Sequence, residues 1–158
     1  MGPLANPAQA NVQLIGVYNE ELVEKIAEVL PSIGIEYGMV VHGEGFDEIT
    51  LTGETIVAET HKGQMKKYVL TPEDAGFKRI NPSQIKVNTK EDNKKIALHI
   101  LAGEKSPFRD MVLLNAGAAI MLAQKASGKN VTWQEGISMA QKSIDSGAAM
   151  RIVECLKQ

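Results

Sequence analysis

Residues 12–41 constrain the fold more than any other stretch of this chain. Residues 12–17 form a short apolar, partly alternating run of strand type. Asn19 then stands as a helix N-cap, with Glu20 and Glu21 in the first turn, where the helix dipole favours anions. Leu22, Ile26 and Leu30 recur at four-residue spacing beside Val23 and Ala27, an apolar stripe on a helix of about three turns. Pro31 and Gly34 stop that helix, and residues 37–41 are again strand-like. Strand, helix and strand in so short a span make a βαβ unit. Its two strands are expected to be parallel, joined by a right-handed crossover.

The remainder follows from similar signals. Residues 54–60 and 65–70 flank a turn at His61-Lys62-Gly63-Gln64 and read as a β-hairpin. Thr71-Pro72-Glu73-Asp74 opens a short turn closed by Gly76, and residues 77–88 look irregular. From Thr89 onward the chain is helical. Thr89 and Asp92 stand at capping-box spacing, Ser106-Pro107 supplies an N-cap and first turn, and Thr132 to Glu135 is a second capping box. The helix over residues 111–123 is apolar on nearly every side and should be buried, with Ala116-Gly117-Ala118-Ala119 permitting close approach of a neighbour. The expected architecture is α/β: a mostly parallel sheet with one antiparallel hairpin, flanked by helices, and a helical C-terminal third. A length of 158 residues suits a single domain over 1–158.

Composition narrows the function classes. Hydrophobic residues make up 44% and charged residues 23%, ordinary for a globular chain, and the net charge of −2 provides no field to recruit nucleic acid. The lysines are interspersed with acids and read as solvated faces. Cys155 is the only cysteine, so no intrachain disulfide can form, which fits a reducing compartment. The first ten residues have neither the basic nor the apolar region of a signal peptide. The apolar run 111–123 falls short of the ~20 residues that span a bilayer. A cytoplasmic protein with no membrane association is expected.

The chemistry concentrates after the second strand. Met39-Val40-Val41-His42-Gly43-Glu44-Gly45-Phe46-Asp47-Glu48 runs from an apolar strand through two glycines to adjacent carboxylates. In a loop both carboxylates can reach one hard cation, and Mg²⁺ binds one or two carboxylates plus substrate phosphates while keeping most of its waters. The alternative is two solvated acids, one of them capping a backbone group. The position just past a strand's carboxyl end is where open α/β sheets bind ligands. His42, His61 and His99 have no metal spacing, Gly43-Glu44-Gly45 is not a phosphate loop, and no G-x-S-x-G is present. Asn115, inside an apolar helix, needs hydrogen-bond partners and is expected to bond the backbone of a nearby loop. Trp133 reads as a packing residue.

Taken in order, several short motifs form a larger pattern. They are Gly2-Pro3-Leu4-Ala5-Asn6-Pro7, Ile15-Gly16-Val17-Tyr18, the Val40–Glu48 stretch, Pro72 with Asp74 and Gly76, Leu101-Ala102-Gly103, Leu114-Asn115-Ala116-Gly117, Glu135-Gly136 and Asp145-Ser146-Gly147-Ala148. This ordered set resembles the C-terminal α/β half of anthranilate phosphoribosyltransferase, the pentosyltransferase of tryptophan biosynthesis. The resemblance implies transfer of phosphoribosyl from phosphoribosyl pyrophosphate to anthranilate, with release of pyrophosphate. It implies Mg²⁺ as cofactor on Asp47 and Glu48, an anthranilate channel lined by Gly2 and Pro3, and a homo-oligomer. It also implies that the family's helical domain, glycine-rich pyrophosphate loop and anthranilate-contacting arginine lie outside this chain, so the chain alone is expected to be inactive. A non-catalytic binding module of the same fold and a nucleoside phosphorylase relative are the rival readings.

Overall fold

The computed structural model describes residue 4 and residues 8–156. Strand β1 (Val12–Gly16) leads into helix α1 (Glu21–Val29) and strand β2 (Tyr37–Gly43), and β1 and β2 pair in parallel as the βαβ pattern requires. The Asn19 side chain accepts the Glu21 N–H at 2.9 Å, which is the expected cap. The α-helix ends one residue before Leu30, and a 3₁₀ turn over Leu30–Ile33 carries Pro31 before Gly34 closes it in a left-handed conformation.

Strands β3 (Thr55–His61) and β4 (Gln64–Leu70) complete a four-stranded sheet in the order β1-β2-β3-β4. The hairpin closes through Lys62 and Gly63, both at positive φ, so the turn is two residues long and His61 pairs with Gln64. The α/β class is as expected, but the sheet is not mostly parallel. β3 runs antiparallel to β2, leaving β1–β2 as the sheet's one parallel pair. The reason is the connection. A parallel neighbour needs a crossover of a dozen or more residues, usually a helix. Residues 44–54 contain no helix and fold back at the same end of the sheet.

After β4, Pro72 to Gly76 form a turn, and a 3₁₀ turn at Pro82–Ile85 is the one regular piece of the segment expected to be irregular. The C-terminal third is helical: α2 (Lys90–Leu101), α3 (Pro107–Ala126), α4 (Trp133–Asp145) and α5 (Ala148–Cys155). Thr89, Ser106 and Thr132 cap α2, α3 and α4, and Thr132 with Glu135 closes a full capping box.

Both faces of the sheet are covered. Val40 and Ala58 pack with α1 residues Val23 and Ala27, whereas Met39, Val41 and Val57 pack with α3 residues Leu114, Ala118 and Leu122. Burial of adjacent residues on opposite faces explains why β2 reads as an unbroken apolar run. α3 in turn packs against α4, where glycines meet: a Cβ on Gly136 would lie 2.5 Å from the Gly117 carbonyl, and one on Gly117 2.7 Å from Ile137 Cγ1. The buried α3 and its small-residue contact match the sequence pattern. Among the described residues no helix is long and apolar enough to cross a membrane.

Candidate functional site

The Asp47-Glu48 loop is built by close contacts that leave its carboxylates free. Gly43 and Phe46 exchange two backbone hydrogen bonds of 3.0 and 2.9 Å, with Gly45 at positive φ between them. This tight turn redirects the chain across the end of the sheet. A Cβ on Gly16 would sit 1.5 Å from the Asp47 carbonyl oxygen, and a Cβ on Gly43 2.5 Å from that of Glu48. Asp47 and Glu48 therefore lie directly against the carboxyl ends of β1 and β2, the two parallel strands.

The stretch that follows is largely buried and densely hydrogen-bonded. The Asn115 side chain accepts the Ile49 N–H at 3.0 Å and donates to the Ile49 carbonyl at 2.8 Å and to that of Met111 at 3.1 Å. Thr50 N–H donates to Thr55 Oγ1, Leu51 N–H to the Met111 sulfur, and Thr52 N–H to Thr50 Oγ1. The Leu51 carbonyl accepts from Ile80 N–H. Ile49, Thr50 and Leu51 are at most 1% exposed, so the bonds made by these three residues answer groups that water cannot reach. His42 donates from Nδ1 to the Val17 carbonyl at 2.8 Å, tying β2 to the chain leaving β1.

Asp47 and Glu48 are both exposed, and neither accepts a hydrogen bond from the described residues. The backbone-capping alternative is thus not what the loop does. Partial burial and then the charge of Asp47 push the Glu48 carboxyl above its ordinary range. Glu48 also borders a cavity of about 300 Å³ with Phe46, Asn93, Phe108 and Met111. The candidate donor set is two adjacent carboxylates at a sheet's carboxyl end. Among the described residues no group of three or more His, Cys, Asp or Glu could hold a metal. A pair of adjacent carboxylates is the kind of donor set Mg²⁺ takes from a protein when a phosphate and water complete its shell. Gly2 and Pro3 lie outside the described residues.

Two elements of the site carried sequence signals that were only partly legible. Gly16, a glycine at the end of a strand pattern, marks a place where another backbone approaches closely, but only the fold shows that the backbone is that of Asp47. Asn115 was expected to bond a loop. The structure identifies the loop as the one that carries the two acids.

The family model for "Glycosyl transferase family, a/b domain" matches residues 1–150. An anthranilate phosphoribosyltransferase of Symbiobacterium thermophilum is 43% identical over 100% of this chain and 46% of its own length. One from Methanocorpusculum labreanum is 46% identical over 99% of this chain and 45% of its own length. The crystal structure of the Thermus thermophilus anthranilate phosphoribosyltransferase superposes with a TM-score of 0.84 at 40% identity, covering 97% of this chain and 44% of that one. The Saccharomyces cerevisiae enzyme in complex with PRPP and Mg gives 0.86 at 28% identity, with the same coverage. The chain spans less than half the length of these relatives. The likeness expected from the ordered motifs holds over nearly the whole sequence, and the chain belongs to the glycosyl transferase family, whose a/b domain it matches.

Proposed function

We propose that this chain supplies the carboxylate-bearing wall of an anthranilate phosphoribosyltransferase active site. The reaction moves phosphoribosyl from phosphoribosyl pyrophosphate to the amine of anthranilate and releases pyrophosphate, a step of tryptophan biosynthesis in the cytoplasm. The single observation that carries the reading is the pinned loop that holds Asp47 and Glu48 uncommitted against the carboxyl ends of β1 and β2. The yeast relative solved with PRPP and Mg supports the ligand class.

In this reading Asp47 and Glu48 hold Mg²⁺, which when bound neutralises charge on the diphosphate leaving group. The residues of this chain orient that site. Asn115 holds Ile49 in register, so that the two preceding carboxylates face solvent. Gly16 and Gly43 let their backbone lie flush against the sheet. The remaining phosphate and anthranilate contacts, including those of Gly2 and Pro3, complete the site together with parts of the relatives that this chain does not span. The complete protein works as a homo-oligomer, which sedimentation measures.

Two experiments test the proposal. Mn²⁺ added to the full chain as a paramagnetic stand-in should broaden the amide signals of residues 16 and 47–49 first, and Asp47→Asn with Glu48→Gln should abolish this. In a chimera with this chain in place of the matching part of the Thermus relative, the same double substitution should lower turnover by about 10²–10³, the cost of losing a group that stabilises developing charge. Undiminished turnover, with the Mg²⁺ requirement unchanged, refutes the assignment.

A further inference from the structure

A second cleft lies towards the start of β2, where α3 contributes Met121 and Lys125, about 9 and 15 Å along the helix from Asn115 at a rise of 1.5 Å per residue. Its volume of about 470 Å³ is within the size range of small-molecule sites. Met121, Tyr68 and half-buried Trp133 supply its apolar lining.

Its polar groups divide sharply into engaged and free. Among the described residues Glu59 is the one carboxylate lining it. That carboxylate already accepts from Lys125 Nζ at 2.5 Å and from the Tyr68 hydroxyl at 3.3 Å. Burial, followed by the Glu59 charge, pushes the Tyr68 phenol far up, so it stays a donor. The Thr132 hydroxyl donates to Glu135, and the Gln134 amide to the Asp74 carbonyl. Lys66 Nζ, the Asn130 amide and the Trp133 indole N–H have no hydrogen-bond or ion-pair partner among the described residues. Lys66 Nζ lies 5.5 Å from the Tyr68 ring centroid. An adjoining cleft shares Glu59, Lys125 and Asn130 and adds Lys62 and Lys129 without a further carboxylate. The combined groove is thus cationic on a chain whose net charge is −2.

We propose that this groove binds a small planar aromatic carboxylate, its ring against Trp133 and its charge on Lys66 and Asn130. Two aromatic side chains in the lining favour a ring, free donors favour an anion, and Glu59 is already committed to Lys125 and Tyr68 rather than open to a cation. The site is separate from the Asp47-Glu48 loop and stands or falls independently of phosphoribosyl transfer.

Trp133 is the only tryptophan, so its single indole N–H cross-peak in a ¹⁵N-labelled full chain reports on the groove directly. Titration with 2-naphthoate should shift that peak saturably. The neutral 2-naphthylmethanol should bind several-fold more weakly. Lys66→Gln, at an exposed position on edge strand β4, should weaken 2-naphthoate about tenfold. Asp47→Asn and Glu48→Gln should leave its affinity unchanged, which separates this result from the fate of the metal site. A non-saturable shift, equal binding of the neutral analogue, or full affinity in Lys66→Gln overturns the proposal.

Discussion

Asn115 shows how one polar side chain in an apolar helix can organise a distant loop. Its amide satisfies both backbone groups of Ile49, which are buried beyond the reach of water. Asn115→Leu should therefore destabilise the chain by about 1–3 kcal/mol, the cost of stranding buried polar groups, read as a lower urea midpoint at unchanged slope. Glu48 should behave in the opposite sense. Its folded-state pKa is raised, so its ionised form opposes folding once the pH exceeds that raised value, and the penalty vanishes below the ordinary value of 4.5. Glu48→Gln should raise the thermal midpoint at pH 7, and the gain should close as the pH falls below about 4.5. The same substitution should weaken Mn²⁺ binding, so stability and metal affinity should move in opposite directions. At this scale the sequence named the two acids and the unusual asparagine. It could not pair Asn115 with Ile49, because sixty-six positions separate them along the chain.

Among the elements, the crossing of α3 and α4 depends on the absence of side chains at Gly117 and Gly136. Gly136→Ala places a methyl against a carbonyl that belongs to another helix. It should cost about 1–3 kcal/mol as overpacking, measurable by denaturant unfolding, and a larger residue should cost more. Gly16→Ala presses on the Asp47 carbonyl instead. It should displace the loop, visible as changed amide shifts at residues 47–49, and reduce Mn²⁺ broadening there. Caps and helix spans were readable in advance because they depend on residues three or four apart: Thr89, Ser106 and Thr132 all cap as their spacing indicates. The direction of β3 was not readable. A long apolar strand followed by a loop is compatible with either orientation until the path of residues 44–54 is known.

For the molecule as a whole, two faces of one sheet carry different partners, α1 on one side and α3 on the other. The two candidate sites sit towards opposite ends of that layered body. Because the chain spans less than half of its relatives, it should show no anthranilate turnover by itself and should gain turnover when the remaining parts are supplied. A coupled pyrophosphate-release assay checks this, and turnover by the chain alone contradicts it. The C-terminal edge leaves apolar side chains in water, with Ile152 63% and Leu156 81% exposed on and just after α5, which has no buried residue. Ile152→Glu should consequently leave the unfolding free energy within about 0.5 kcal/mol of the parent, as expected for a surface position.

The sequence by itself determined the kinds of element, their caps and the two carboxylates, since periodicity and capping act within a few residues. Only the tertiary structure decided that Gly16, Asp47 and Ile49 with Asn115 meet at one end of the sheet, and that Lys66, Asn130 and Trp133 meet towards the other. Those distances depend on how β1, β2 and α3 pack, and close packing of helix on sheet is a property of the whole chain rather than of any window within it.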